Sequence, residues 1–183
     1  LVDSQGEEIE APIQIPVAYD FLPILGPASA NGHLLELLQP LEPGGRPYII
    51  DIETEEIWSL FQGHPQQEDI TGWVYAWHPN NRQILFWFFN NDELLLVDTE
   101  TGQYTVLALT QGAVQGATIS PNGQNAAYVG RNQGVRTLWM TNISGIESIP
   151  LFESESVVYV FDWSPDGKYI LYAEKSSDPI EGE

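Results

Sequence analysis

The 183-residue chain carries 26 acidic and 6 basic side chains, no cysteine and 43% hydrophobic residues. A net charge of -20 argues against nucleic acid and anionic membrane as partners, because phosphate is recognised mainly by clustered Lys and Arg; the missing thiols exclude thiolate catalysis and cysteine-metal sites. The longest apolar run, Ile84 to Phe89, has six residues, far short of the ~20 of a membrane helix, while the length suits one domain that buries a core without disulfides.

Leu1 has no initiator Met, basic region or apolar leader around it, the pattern expected of a processed product or an excerpt. Leu1-Val2-Asp3-Ser4-Gln5-Gly6 reads as a strand entering a turn, with a further strand ending near Ile15. Ser29-Ala30-Asn31-Gly32 then precedes the apolar Leu34 to Leu38. Prolines at 12, 16, 23, 27, 40, 43 and 47 leave room there for no more than one or two helical turns. The same grammar returns as His78-Pro79-Asn80-Asn81 before Ile84 to Phe89, Ser120-Pro121-Asn122-Gly123 before Ala126 to Val129, and Ser164-Pro165-Asp166-Gly167 before Tyr169 to Ala173. Gly and Asn accept the positive φ that a tight hairpin demands, so each is a hairpin tip.

The turn residues Asn31, Asn80, Asn122 and Asp166 are spaced by 49, 42 and 44 residues. A second element follows each of the first three tips: Tyr48 to Thr54, Leu95 to Gly102 and Leu138 to Gly145, with Asp51, Asp98 and Thr141 spaced by 47 and 43. Ile57 to Phe61, Tyr104 to Leu109 and Ile149 to Phe152 are then outer strands. One unit is thus four antiparallel strands in about 42 to 49 residues, close to a propeller blade of ~40–45. The chain divides into outer strands of one blade (1–15), three blades (16–62, 70–110 and 113–152), inner strands of a last blade (157–175) and a polar tail (176–183).

At Asp162-Trp163-Ser164-Pro165-Asp166-Gly167-Lys168-Tyr169-Ile170-Leu171-Tyr172 the sequence resembles the WD-like repeats of TolB-type β-propellers. Residues 119–128 follow the pattern with Asn for Asp and Gln for the basic residue, and residues 77–86 depart further, with His78 for Ser and Asn81 for Gly. The resemblance implies an all-β propeller of about four blades. Two forms are open: a ring closed by Leu1 to Ile15, in which Leu1 to Asp3 pair with Tyr169 to Tyr172, or a segment of a six- to eight-bladed parent. The second is favoured, because TolB-type rings are usually larger than four blades. The resemblance also implies an extracytoplasmic (periplasmic or secreted) setting.

Chemistry is sparse. His33, His64 and His78 lack ligand spacing, Asp98-Thr99-Glu100-Thr101-Gly102 lacks the span of a calcium loop and reads as a hairpin, and no Gly-x-Ser-x-Gly elbow occurs. No catalytic, metal or cofactor residue is expected. Trp77, Trp87 and Trp163 read as core, whereas Trp58, Trp73 and Trp139 are candidates for exposure. Asn142-Ile143-Ser144 is a glycosylation sequon. The acidic ends, including Glu7, Glu8 and Glu10, would meet in a closed ring as a negative field for a basic partner or cations, although solvated surface is the favoured reading of them. The expected role is a non-catalytic scaffold for a protein partner, with 63–71, 110–116 and 153–156 as contact loops. The alternatives are a substrate-gating propeller of a prolyl-oligopeptidase-type peptidase, and a carbohydrate- or small-molecule-binding propeller.

Overall fold

The computed structural model describes residues 24–40, 45–62, 69–145 and 147–175. Four sheets follow one another. The first has β1 (Ile24–Ala28), β2 (Leu34–Pro40), β3 (Gly45–Asp51) and β4 (Ile57–Ser59); the second has β5 (Gly72–Trp77), β6 (Gln83–Phe88), β7 (Glu93–Asp98) and β8 (Tyr104–Leu109). The third has β9 (Ala117–Ile119), β10 (Asn125–Asn132), β11 (Val135–Asn142) and β12 (Ser148–Ser154), and the last is the pair β13 (Val158–Trp163) and β14 (Ile170–Glu174). Every pairing is antiparallel between chain neighbours, except a bridge from Gly45 to Gly72 that joins the first two sheets.

The innermost strands lie side by side, β1 against β5, β5 against β9 and β9 against β13, so the sheets fan around an axis as blades I to IV. Between each pair of blades lies an apolar layer. Ile49, Leu60 and Phe61 of blade I meet Ile84, Phe86, Leu95 and Val97 of blade II. Leu85, Trp87, Leu94 and Leu96 face the other way, onto Ala117, Ile119, Ala126 and Tyr128 of blade III. Ala127, Val129 and Leu138 then cover Val158 and Val160 of blade IV. This explains the unalternating run from Ile84 to Phe88, since a strand covered on both faces has no polar side; Phe89 already belongs to a short 3-10 turn.

The outward face of blade IV differs. Tyr159 is half exposed, Phe161 is 59% exposed and Leu171 is 64% exposed. The pairing of Leu1 to Asp3 that a closed ring requires, the acidic Glu7, Glu8 and Glu10, and most of the loop at 63–71 lie outside the described residues.

Candidate functional site

The repeat turns gather at one mouth of the fan. In three blades the serine hydroxyl holds the turn: Ser29 donates to Asn31 Oδ1, Ser120 to Asn122 Oδ1 and Ser164 to Asp166 Oδ1. The serine hydroxyl oxygens in turn accept the N–H groups of Leu34, Asn125 and Tyr169, closing the hairpin. The Ser164 bond, with the backbone N–H and ammonium of Lys168, holds the Asp166 carboxyl below the usual range.

Blade II substitutes His78 for the serine, and the ring does more. Its Nδ1 accepts from the Asn80 N–H at 3.1 Å, so Nε2 carries the proton and donates to the Gly123 carbonyl of blade III at 2.9 Å. Gly123 has φ +70°, and a Cβ there would lie 2.5 Å from that Nε2. The mouth is also tied between blades I and II, where Asn81 Oδ1 accepts the Asn31 N–H at 3.0 Å.

Along the interfaces, side chains of one blade bind backbone of the next. Trp77 Nε1 donates to the Pro27 carbonyl at 2.8 Å, Trp58 Nε1 to the Thr99 carbonyl at 2.6 Å, and the Tyr75 hydroxyl to the Val114 carbonyl at 2.8 Å. Burial pushes the Tyr75 phenol pKa up, against the opposing effect of a hydrogen bond with the Gly116 backbone. Thr118 donates to Asp162 Oδ1 at 3.1 Å, joining blades III and IV. Asp98 is the centre of a turn: burial raises its pKa, but the Arg82 guanidinium at 2.6 Å and the N–H and hydroxyl of Thr101 lower it more, leaving a net depression.

One feature escaped the sequence reading. Glu36, inside the apolar Leu34 to Leu38 stretch, is 3% exposed and its Oε1 has no hydrogen-bond partner among the described residues. It sits opposite a slip in the β1–β2 register between Leu25 and Ala28, where Gly26 leaves the room: a Cβ at Gly26 would fall 1.5 Å from Glu36 Oε2. Burial raises the carboxyl pKa to about 8.

A cleft of about 170 Å³ opens between blades II and III, beside the loop at 110–116. Leu109, Thr110 and Gln111 form one wall, Tyr128 and Trp139 the other, and Arg131 stands at its side. Tyr128 and Trp139 lie nearly parallel, 14° apart with centroids at 6.5 Å. Gln111 has φ 50°, a backbone geometry sparsely used by non-glycine residues.

The remaining sequence candidates fall as follows. Trp87 is buried, Trp77 and Trp163 are partly buried against the interblade layers, Trp58 and Trp139 are half-buried, and Trp73 alone of the six is exposed, at 37%. His33 pairs with Glu53 at 2.9 Å on the surface. The sequon asparagine Asn142 is engaged in a turn, its Oδ1 accepting from the N–H and hydroxyl of Ser144. Among the described residues no three His, Asp or Glu side chains gather as a metal site, and no helix is long and apolar enough to cross a membrane.

No family model and no curated protein matches the chain. Solved structures do. A TolB-type protein of Agrobacterium tumefaciens is 16% identical, with a TM-score of 0.64 over 84% of this chain and 55% of that one. The β-propeller domain of the Trilobed protease of Pyrococcus furiosus is 14% identical (TM-score 0.58, 87% of this chain and 51% of that one). Oligogalacturonate lyase of Vibrio parahaemolyticus is 12% identical (TM-score 0.61, 84% and 46%). The fold is a β-propeller. The chain spans about half the length of these solved structures.

Proposed function

We propose that the chain is a non-catalytic portion of a larger propeller that serves as a rigid scaffold for a protein partner in an extracytoplasmic setting. One observation carries this reading: the polar side chains that reach between blades, His78, Trp58, Trp77, Tyr75 and Thr118, are bound to the backbone or side chains of the neighbouring blade. Such bonds hold blades in fixed relation, which is what presentation of a surface needs. The likeness to TolB-type and protease propellers supports the scaffold role and, through TolB, the compartment. The exposed Phe161 and Leu171 are then covered by a further blade of the parent.

The test is cross-linking in the native host of the parent protein, coupled to turnover assays on peptide and oligogalacturonate substrates. A discrete cross-linked partner without turnover is the expected result; turnover by the chain overturns the scaffold. A second reading, a propeller gating access to a peptidase domain, is favoured by the likeness to the Trilobed protease propeller. It requires a hydrolase domain in the same polypeptide. A glycan-binding propeller rests on the exposed Trp73 and is tested by fluorescence quenching of that indole on a glycan panel.

A further inference from the structure

From the cleft between blades II and III we infer a docking site for an extended protein segment that places a carboxylate next to an apolar side chain. The inference rests on the scaffold reading and names where the partner binds. It begins with β8, Tyr-Thr-Val-Leu-Ala-Leu, the terminal strand of its sheet, which has no strand partner on its outer edge among the described residues. Outer strands are commonly blunted by brevity, charge or proline. Among the outer strands, β4 has three residues, and β12 carries Pro150 and Glu153. By contrast β8 has six uncharged residues and no proline. Its Tyr104, Val106 and Leu109 are exposed, Leu109 at 71%. The backbone of Gly145 and the Thr141 hydroxyl of blade III reach β8 at Val106 and Leu107, but its end at Leu109 stays exposed, and an edge that carries exposed apolar side chains is the kind of surface on which an extended peptide adds as a strand.

The cleft at the end of β8 defines the chemistry of that peptide. Its volume of about 170 Å³ is below the ~300–1,000 Å³ of sites that enclose a drug-sized molecule and suits one or two side chains. Leu109 and the Trp139 ring supply apolar contact, and Arg131 supplies charge. Arg82 is held by Asp98 and Glu100, and Lys168 by Asp166, but Arg131 is exposed and makes no ion pair among the described residues. In a chain with 26 acidic side chains, an arginine that lines the cleft and makes no ion pair among the described residues complements a carboxylate from outside, through charge-assisted hydrogen bonds. The carboxylate is an acidic side chain or a chain terminus of the partner.

The experiment is a selection of random peptides, displayed with free carboxyl termini, on the 183-residue chain, followed by titration of the selected peptides against variants. Peptides that share Asp, Glu or the terminus within two residues of Leu, Ile, Val or Phe are expected. Arg131→Glu is expected to weaken them at least about tenfold without changing the melting temperature, since the side chain is exposed, and replacing the peptide's acid by Lys to restore binding to that variant. Amidated peptides separate a terminal from a side-chain carboxylate. Peptides that bind Arg131→Glu and Leu109→Lys as well as the unaltered chain overturn the site and leave the scaffold standing. A selection without binders also overturns the site, while the scaffold is judged by cross-linking in the host.

Discussion

Replacing Glu36 by Gln should abolish a specific pH dependence of stability. The carboxyl is 3% exposed, lacks a partner for Oε1 among the described residues, and has its pKa raised by burial from 4.5 to about 8. A carboxyl whose native pKa lies above its unfolded one binds its proton more tightly when folded. Its favourable contribution is complete below pH ~4.5, declines as pH rises, and is lost once the pH has passed through the native value of about 8. The slope is about 1.4 kcal/mol per pH unit, so the full loss is about 5 kcal/mol and the loss at neutral pH about 3 kcal/mol. Gln does not titrate, although its buried amide costs about 1–3 kcal/mol if unpaired; that offset is constant with pH. Urea unfolding of both proteins at pH 5, 6, 7, 8 and 9 measures the difference. The variant should gain on the parent steadily up to pH ~8 and then level off. Other titrating groups, Asp98 included, cancel in the comparison. A difference that stays flat from pH 5 to 9 would show that the carboxyl is solvated or paired, and the interior placement of Glu36 would be wrong.

Three further outcomes follow from the blade contacts. His78→Ser restores the turn hydroxyl of the other repeats but removes the bond to the Gly123 carbonyl, costing about 1 kcal/mol; Gly123→Ala should be less damaging in that background, because the atom 2.5 Å from the new Cβ is gone. A double-mutant cycle by thermal unfolding checks the coupling. Gly145→Ala places a Cβ 2.1 Å from the Val106 carbonyl at φ +70°, and should cost about 2 kcal/mol or more, seen as a lower urea midpoint with loosened packing of blade II on blade III. In alkaline absorbance titration, Tyr75 and Tyr128, both raised by burial, should not ionise with ordinary tyrosines. Eight phenols titrating together in the folded protein would contradict the interface geometry.

The parts of this fold that were legible in sequence are those set by local chemistry. Asn-Gly and Asp-Gly mark hairpins because their φ requirement is satisfied within four residues, and Ser120 and Ser164 act within five residues of themselves. The run at 84–89 disclosed a strand covered on both faces because its apolar residues do not alternate. What was not legible depends on distant partners. Glu36 sits in an apolar stretch, and its burial is created by a slip on β1 and the missing Cβ of Gly26. His78 departs from the repeat, and the atom that explains it lies 45 residues away at Gly123. The cleft draws Leu109, Tyr128, Arg131 and Trp139 from β8, β10 and β11. Sequence marks its loop, 110–116, as a contact segment and Trp139 as a candidate for exposure, but not that the two share a cleft.

The same logic separates the number of blades from their structure. Each inner strand presents apolar residues in both directions: Ile84 and Phe86 toward blade I, Leu85 and Trp87 toward blade III. Ala126 and Tyr128 face blade II, while Ala127 and Val129 face blade IV. A unit built this way carries no local instruction to stop, because stability in a repeat array accrues at interfaces between neighbours and any blade accepts another on either side. Blade IV has its inward layer satisfied by Val158 and Val160 while Tyr159, Phe161 and Leu171 point the other way. Leu171 on β14 stands at the repeat position of Leu85 on β6 and Ala127 on β10, both buried against the next blade. The energetic demand at that face is therefore the one already met at three interfaces in this chain, an apolar layer from an adjoining sheet.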